Sequence, residues 1–145
     1  NMNSPSKEKP IIRAATADDL PELTSVVDYF VRANRLLPRT VDELQDLLPF
    51  GFVAVSDNAI VGFAALEIYS PKLAEIRSLA VMEHMQGQGV GRMLVEECVR
   101  LAQSRNILEV MVVTSSDDFF VSCGFDFTLP GEKKALFIQT RKTDD

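Results

Sequence analysis

Leu79 to Cys98 reads LAVMEHMQGQGVGRMLVEEC, and the reading of this stretch decides the fold. It predicts the end of a strand, a tight glycine-rich turn, then a helix. Inside it lies Gln86-Gly87-Gln88-Gly89-Val90-Gly91. Glycine has no Cβ, so it leaves backbone N–H groups open to a ligand and admits positive φ. The first turn of a helix adds N–H groups without intrahelical partners and the positive end of the helix dipole. Together these make a cradle for a phosphate or pyrophosphate.

Three kinds of anion loop compete for this pattern. A P-loop needs Gly-x-x-x-x-Gly-Lys-Ser/Thr, and no lysine follows these glycines. A dinucleotide fingerprint needs Gly-x-Gly-x-x-Gly, which the spacing Gly87, Gly89, Gly91 does not meet. The third pattern, Gln-x-x-Gly-x-Gly, is met by Gln86, Gly89 and Gly91. A turn that only joined a strand to a helix would need one glycine rather than three.

Working outward, residues 73–82 form the strand that delivers the loop, and the helix behind it runs to about Ser104. Val90, Leu94, Cys98 and Leu101 fall on one stripe of that helix. Towards the N-terminus, 10–16 reads as a strand, with Thr16 or Asp18 capping a helix to about Ala33. Thr40-x-x-Glu43 is a capping box opening a second helix through Leu48. Strands at 52–56 and 60–69 flank Asp57-Asn58 as a hairpin. Towards the C-terminus, 107–114 is a buried β-branched strand and 116–123 a short helix stopped by Gly124. Strands at 125–127 and 135–140 follow, joined by the Pro130-Gly131 turn.

The expected architecture is therefore α/β (α+β), with a mixed sheet of about seven strands and about four helices on its faces. Its order is β-α-α-β-β-β-α-β-α-β-β, in one domain at 10–142. Residues 1–9 are polar and read as disordered, and Asn1 ahead of Met2 reads as an expression remnant.

A chain of 145 residues suffices for one core, and 46% hydrophobic with 25% charged residues is ordinary for a globular domain. A net charge of −6 argues against nucleic acid or an acidic membrane surface as the main partner. It leaves an anionic cofactor open, because backbone N–H groups bind phosphate without side-chain charge. No apolar run approaches the roughly 20 residues that span a bilayer. Cys98 and Cys123 read as free thiols in a reducing cytoplasm. No group of His, Cys or carboxylates has metal-ligand spacing, so no metal is expected. His84, the one histidine, reads as a solvated turn residue.

The loop Gln86-x-x-Gly89-x-Gly91, the strand AEIRSLAV before it and the later FFVSCGF together resemble the GNAT superfamily of N-acetyltransferases. The order of elements from about Pro10 matches that family as well. The resemblance implies acetyl-CoA as co-substrate and a small-molecule amine as acceptor. It also implies a possible homodimer, because late strands of the fold often pair. By resemblance, Leu79, Ala80 and Val81 offer backbone groups to the pantetheine arm, and Gln86, Gly87, Gln88, Gly89, Val90 and Gly91 take the pyrophosphate. Arg92 adds charge there or is a solvated helix-face residue.

Glu75 matches the acidic residue that deprotonates the amine in many GNAT enzymes, or it only pairs with Arg77. The two alternate onto one strand face, and a carboxylate amid apolar residues needs a use or a partner. Phe120 stands beside the cofactor where many members carry the tyrosine that protonates the thiolate, and a phenyl ring has no proton to give. The N-acetylglutamate synthase branch also has Phe there, and Ser116 matches that branch's serine. Ser116 equally reads as an N-cap. Leu36 to Thr40, LLPRT, resembles the same branch's substrate loop, in which an arginine grips a carboxylate. Arg39 is the matching position and Arg77 a second candidate, since a guanidinium fork fits two oxygens. The expectation is acetylation of the α-amine of a small amino acid, glutamate or glutamine first, as in arginine biosynthesis. Another small amine, a protein N-terminus, or a non-catalytic acyl-CoA-binding module are the alternatives.

Overall fold

The computed structural model describes residues 9–127 and 134–141. The chain forms two compact units, Asn1–Val113 and Thr114–Asp145.

The first unit holds β1 (Ile11–Ala14), α1 (Leu20–Arg32), α2 (Val41–Leu47), β2 (Gly51–Ser56), β3 (Ala59–Ser70), β4 (Leu73–Val81), α3 (Val90–Ser104) and β5 (Glu109–Met111). Its five-stranded sheet runs β1-β2-β3-β4-β5. Among the first four strands each runs antiparallel to its neighbour, and β5 lies parallel to β4. Chemistry of the connections explains this. Asp57 and Asn58 both take positive φ, as a two-residue hairpin turn requires. A parallel neighbour instead needs a crossover, which α3 supplies.

α1 is preceded by a 3-10 turn at Ala17–Asp19, where Thr16 and Asp19 form a capping box. The Arg13 guanidinium donates to both Asp19 oxygens at 2.8 Å, tying β1 to this corner. Leu23, Val26, Val27 and Phe30 of α1 pack with Leu44 and Leu47 of α2 against Val53, Phe63 and Ala65 on one sheet face. α3 covers the other face so closely that a Cβ on Gly62 would lie 3.1 Å from Leu94 Cδ1. Thr40 and Glu43 exchange the two hydrogen bonds of the predicted capping box, each at 3.1 Å.

β4 contains a bulge. Phe63 pairs with Ala80 and Ala65 with Arg77, so Ala64 faces both Ser78 and Leu79. Ser78 sits at φ +60, the left-handed region that non-glycine residues seldom occupy.

The second unit holds α4 (Asp117–Ser122), which ends at Gly124 with φ +99, as expected of a helix stop. Phe120 is buried between the edges of Phe119 and Phe125, with ring centroids 5.0 and 5.5 Å away.

Three expectations are corrected. Among the described residues the sheet has five strands rather than about seven. Residues 125–127 form no strand, because the Phe125 N–H is drawn back to Phe120 O at 3.0 Å by the helix cap. Residues 135–140 form none either: Leu136 and Ile138 are 90% and 86% exposed, with no ladder partner among the described residues. Last, β5 is three residues long instead of spanning 107–114, since the Ile107 N–H closes the end of α3 on Ala102 O. The Pro130-Gly131 turn and most of the expected disordered N-terminal segment lie outside the described residues.

Candidate active site

Gly87 and Gly89 take φ +80 and +79, and a Cβ added to either meets nothing within 4 Å. Their left-handed conformation suits glycine, and the space before the backbone is open. Gly89 is the N-cap of α3, so the fifteen-residue helix begins at the loop and aims its first N–H groups and dipole there. Gln86 Nε2 donates to Val81 O at 3.4 Å, and Gln88 Nε2 to His84 O at 3.5 Å, bracing the loop on the end of β4. Val90 is buried and anchors the helix start, while Arg92 is exposed on its first turn. His84 is exposed in the 3-10 turn Glu83–Met85, as expected of a turn residue.

β4 pairs with β3 as far as Val81, but with β5 only from Leu73 to Glu75. β5 ends at Met111, opposite Glu75, so beyond Glu75 no described strand pairs with this edge of β4. Leu79, Ala80 and Val81, all half-buried, therefore lie along an edge without a described strand partner on the β5 side, directly before the glycine loop.

Glu75 is the last residue of β4 paired with β5. It is 8% exposed, and the Tyr69 hydroxyl lies 2.6 Å from its Oε1. Glu67 is its cross-strand neighbour. Two carboxylates directly opposite repel, and two groups offset this. Arg77 Nη1 donates to Glu67 Oε2 at 2.7 Å and lies 3.5 Å from Glu75 Oε1. The Tyr69 hydroxyl also lies 2.8 Å from Glu67 Oε2 and 3.2 Å from Arg77 Nη1. Burial opposes the charge of Arg77, but the Tyr69 hydroxyl and the two glutamates outweigh it and raise its pKa. Burial and the Glu75 and Glu67 hydrogen bonds push the Tyr69 phenol well above its ordinary value.

Arg39 reaches the same sheet face from the loop between α1 and α2. Arg35 and Leu36 N–H groups both donate to Phe30 O, and Thr40 caps α2, so the loop is held at both ends. Arg39 Nε donates to Ser78 Oγ at 2.8 Å. Burial first, then the neighbouring Arg77 charge, pull its pKa below the usual arginine value. Arg39, Glu75 and Arg77 are thus brought together in the first unit.

Ser116 and Phe120 belong to the second unit. Ser116 is exposed and precedes α4, but its side chain makes no capping hydrogen bond. Its N–H donates to Thr114 Oγ1 at 2.8 Å. Cys98 is buried in α3 and Cys123 half-buried; both are free. Among the described residues no group of three or more His, Cys, Asp or Glu could hold a metal, and no helix is long and apolar enough to cross a membrane.

A model of the Acetyltransferase (GNAT) family matches residues 17–125. The chain belongs to this family. An uncharacterized N-acetyltransferase of Chlorobaculum tepidum is 32% identical over 114 residues, covering 79% of this chain and 74% of that one. The amino-acid acetyltransferase of Mycobacterium tuberculosis is 29% identical over 120 residues, covering 81% and 68%. Among solved structures, a Mycobacterium tuberculosis protein in complex with CoA superposes with a TM-score of 0.73 and 26% identity, covering 87% of this chain and 77% of its own. An aminoglycoside acetyltransferase from an uncultured soil sample gives 0.68 and 26%, covering 94% and 99%.

GNAT enzymes use acetyl-CoA, which supplies the acetyl thioester. The open, positive-φ loop at the head of α3 fits its pyrophosphate. Sequence reasoning did not single out Tyr69, Glu67 or Ser78. Glu67 and Tyr69 alternate on β3 as Glu75 and Arg77 do on β4, a signal present in the sequence. For Ser78 there was none, because nothing local marks the bulge.

Proposed function

We propose that this GNAT acetyltransferase transfers the acetyl group of acetyl-CoA directly to the α-amine of a small amino acid, with glutamate or glutamine first. The observation that carries this reading is Arg39: a half-buried guanidinium on the Glu75 face whose partner among the described residues is a neutral hydroxyl. Such a group suits an incoming carboxylate, which two terminal nitrogens can grip together. Arg77 is less suited to that task, being engaged by Glu67, Glu75 and Tyr69.

In this reading Glu75 takes the proton of the acceptor ammonium, directly or through water, and the free amine attacks the thioester carbonyl. Backbone N–H groups at Leu79–Val81 polarise that carbonyl as negative charge develops on its oxygen. The glycine loop from Gln86 to Gly91, with Arg92, holds the pyrophosphate and so fixes the donor against β4. By resemblance to the family, Ser116 is the candidate for returning a proton to the departing thiolate, and Phe120 holds the sequence position of the tyrosine that many members carry. No covalent acyl-enzyme is needed, and burial pushes the Cys98 thiol up to about 12, which makes it a poor nucleophile.

The amino-acid acetyltransferase relative supports the amino-acid acceptor. A cationic amine is the second reading, favoured by the nearly full-length match to an aminoglycoside acetyltransferase and by the net charge of −6. The test is CoA release from acetyl-CoA over a panel of amino acids and polyamines. Turnover of glutamate or glutamine that is lost in Glu75→Gln and shows a raised KM in Arg39→Ala supports the first reading. Turnover of polyamines alone, indifferent to Arg39→Ala, supports the second.

A further inference from the structure

Ser78 is the one residue of β4 in the left-handed region, and its hydroxyl meets the arginine that the proposed function assigns to the acceptor. In a regular strand the residue after Arg77 points to the opposite face. The bulge changes this. With Ala64 facing both Ser78 and Leu79, the φ of +60 at Ser78 turns its hydroxyl to Arg39, the side where Arg77 and Glu75 also lie. A left-handed serine is disfavoured relative to glycine, and such residues persist where the surrounding structure fixes them.

We propose that Ser78 is a positioning residue for acceptor recognition: its Oγ occupies Arg39 Nε and so turns the two terminal nitrogens outward as a fork for the acceptor carboxylate. Occupying Nε matters because a guanidinium can meet a carboxylate through its Nε edge or its terminal edge. The 2.8 Å bond to Ser78 removes the first option. Among the described residues nothing takes the terminal nitrogens, so the fork stays available. The loop held by Phe30 O and the Thr40 cap keeps the Arg39 backbone still, leaving side-chain rotation as the freedom that Ser78 removes.

This inference rests on Arg39 being the carboxylate grip, and the variants separate the two. Ser78→Gly deletes the hydroxyl while keeping a residue at ease with positive φ, so the bulge is retained. Ser78→Asn tolerates positive φ and offers a carbonyl oxygen in the hydroxyl's stead. L-glutamate binding is measured by calorimetry on the CoA-loaded protein, beside KM and kcat for L-glutamate and the melting temperature. The expected result for Ser78→Gly is about tenfold weaker L-glutamate binding and a matching rise in KM, with kcat unchanged and no loss of melting temperature. Ser78→Asn is expected to recover part of the affinity. Unchanged affinity in Ser78→Gly, with weakened affinity in Arg39→Ala, overturns the positioning role and leaves the grip standing. A fall in melting temperature and kcat together, without a rise in KM, also overturns it. No L-glutamate binding by the wild type, or none lost in Arg39→Ala, overturns the carboxylate reading itself and this inference with it.

Discussion

The Tyr69 hydroxyl stands 2.6 Å from Glu75 Oε1 and 2.8 Å from Glu67 Oε2, between two carboxylates paired across neighbouring strands. A phenol has one proton, so it donates to one carboxylate at a time. Arg77 supplies the positive charge that the pair needs. The side chain proposed as base is thus held by neighbours on both strands.

Tyr69→Phe keeps the ring and removes that hydroxyl. We expect kcat/KM to fall about tenfold, with the fold retained, as judged by circular dichroism. A variant as active as the wild type would show that Arg77 alone suffices to hold Glu75. By contrast, Glu75→Gln is expected to cost about a hundredfold or more in kcat, the range of a lost general base.

The tyrosine absorbance of the folded protein reports the same cluster. Tyr69 ionises above its ordinary value of 10.0, chiefly through burial and then through the Glu75 hydrogen bond. A folded-state value raised above the unfolded one means stability that is fully present below about pH 10 and lost as pH rises through the folded value. Titration at 295 nm should show a late tyrosine step that vanishes in Tyr69→Phe. In Glu75→Gln it should move to lower pH, because the acceptor loses its charge.

Asp19 behaves in the opposite sense. The Arg13 hydrogen bonds, outweighing burial, hold its carboxyl down at about 2. Its stabilisation is therefore present above the unfolded value of 3.8 and lost as pH falls through about 2. Asp19→Ala also removes the partner of the Thr16 N–H, a cap worth about 1 kcal/mol. Thermal melts should show a deficit at pH 7 that narrows towards pH 2. A deficit constant with pH would assign the loss to packing alone.

Gly89→Ala separates stability from donor binding. A Cβ there meets no atom within 4 Å, so the cost to folding is the backbone one alone, about 1–2 kcal/mol at φ +79. The same methyl stands on the open face of the loop, where we expect CoA affinity to fall more than tenfold by calorimetry. A melting temperature lowered by that amount with CoA affinity intact would move the pyrophosphate away from Gly89.

Much of the molecule was legible because its signals are local. The Gln86–Gly91 loop needs only three glycines and a following amphipathic stripe to announce itself. The Thr40–Glu43 box, the Asp57-Asn58 turn and the Gly124 stop each act within four residues, and each is found where the sequence puts it. The family follows from that loop and the order of elements around it. The late strands were misread for the opposite reason. The apolar run at 135–138 shows that a segment can be a strand, but a strand exists only when a partner completes its ladder.

Tertiary structure alone decided how the residues of the proposed acceptor side are held together. Arg39 and Ser78 are 39 residues apart, and their bond requires both a loop pinned between α1 and α2 and a bulge in β4. A bulge depends on how two strands share hydrogen bonds, so the sequence of one strand does not contain it. The Glu67–Tyr69–Glu75–Arg77 cluster likewise depends on register, since a shift of one residue would send its members to opposite faces of the sheet.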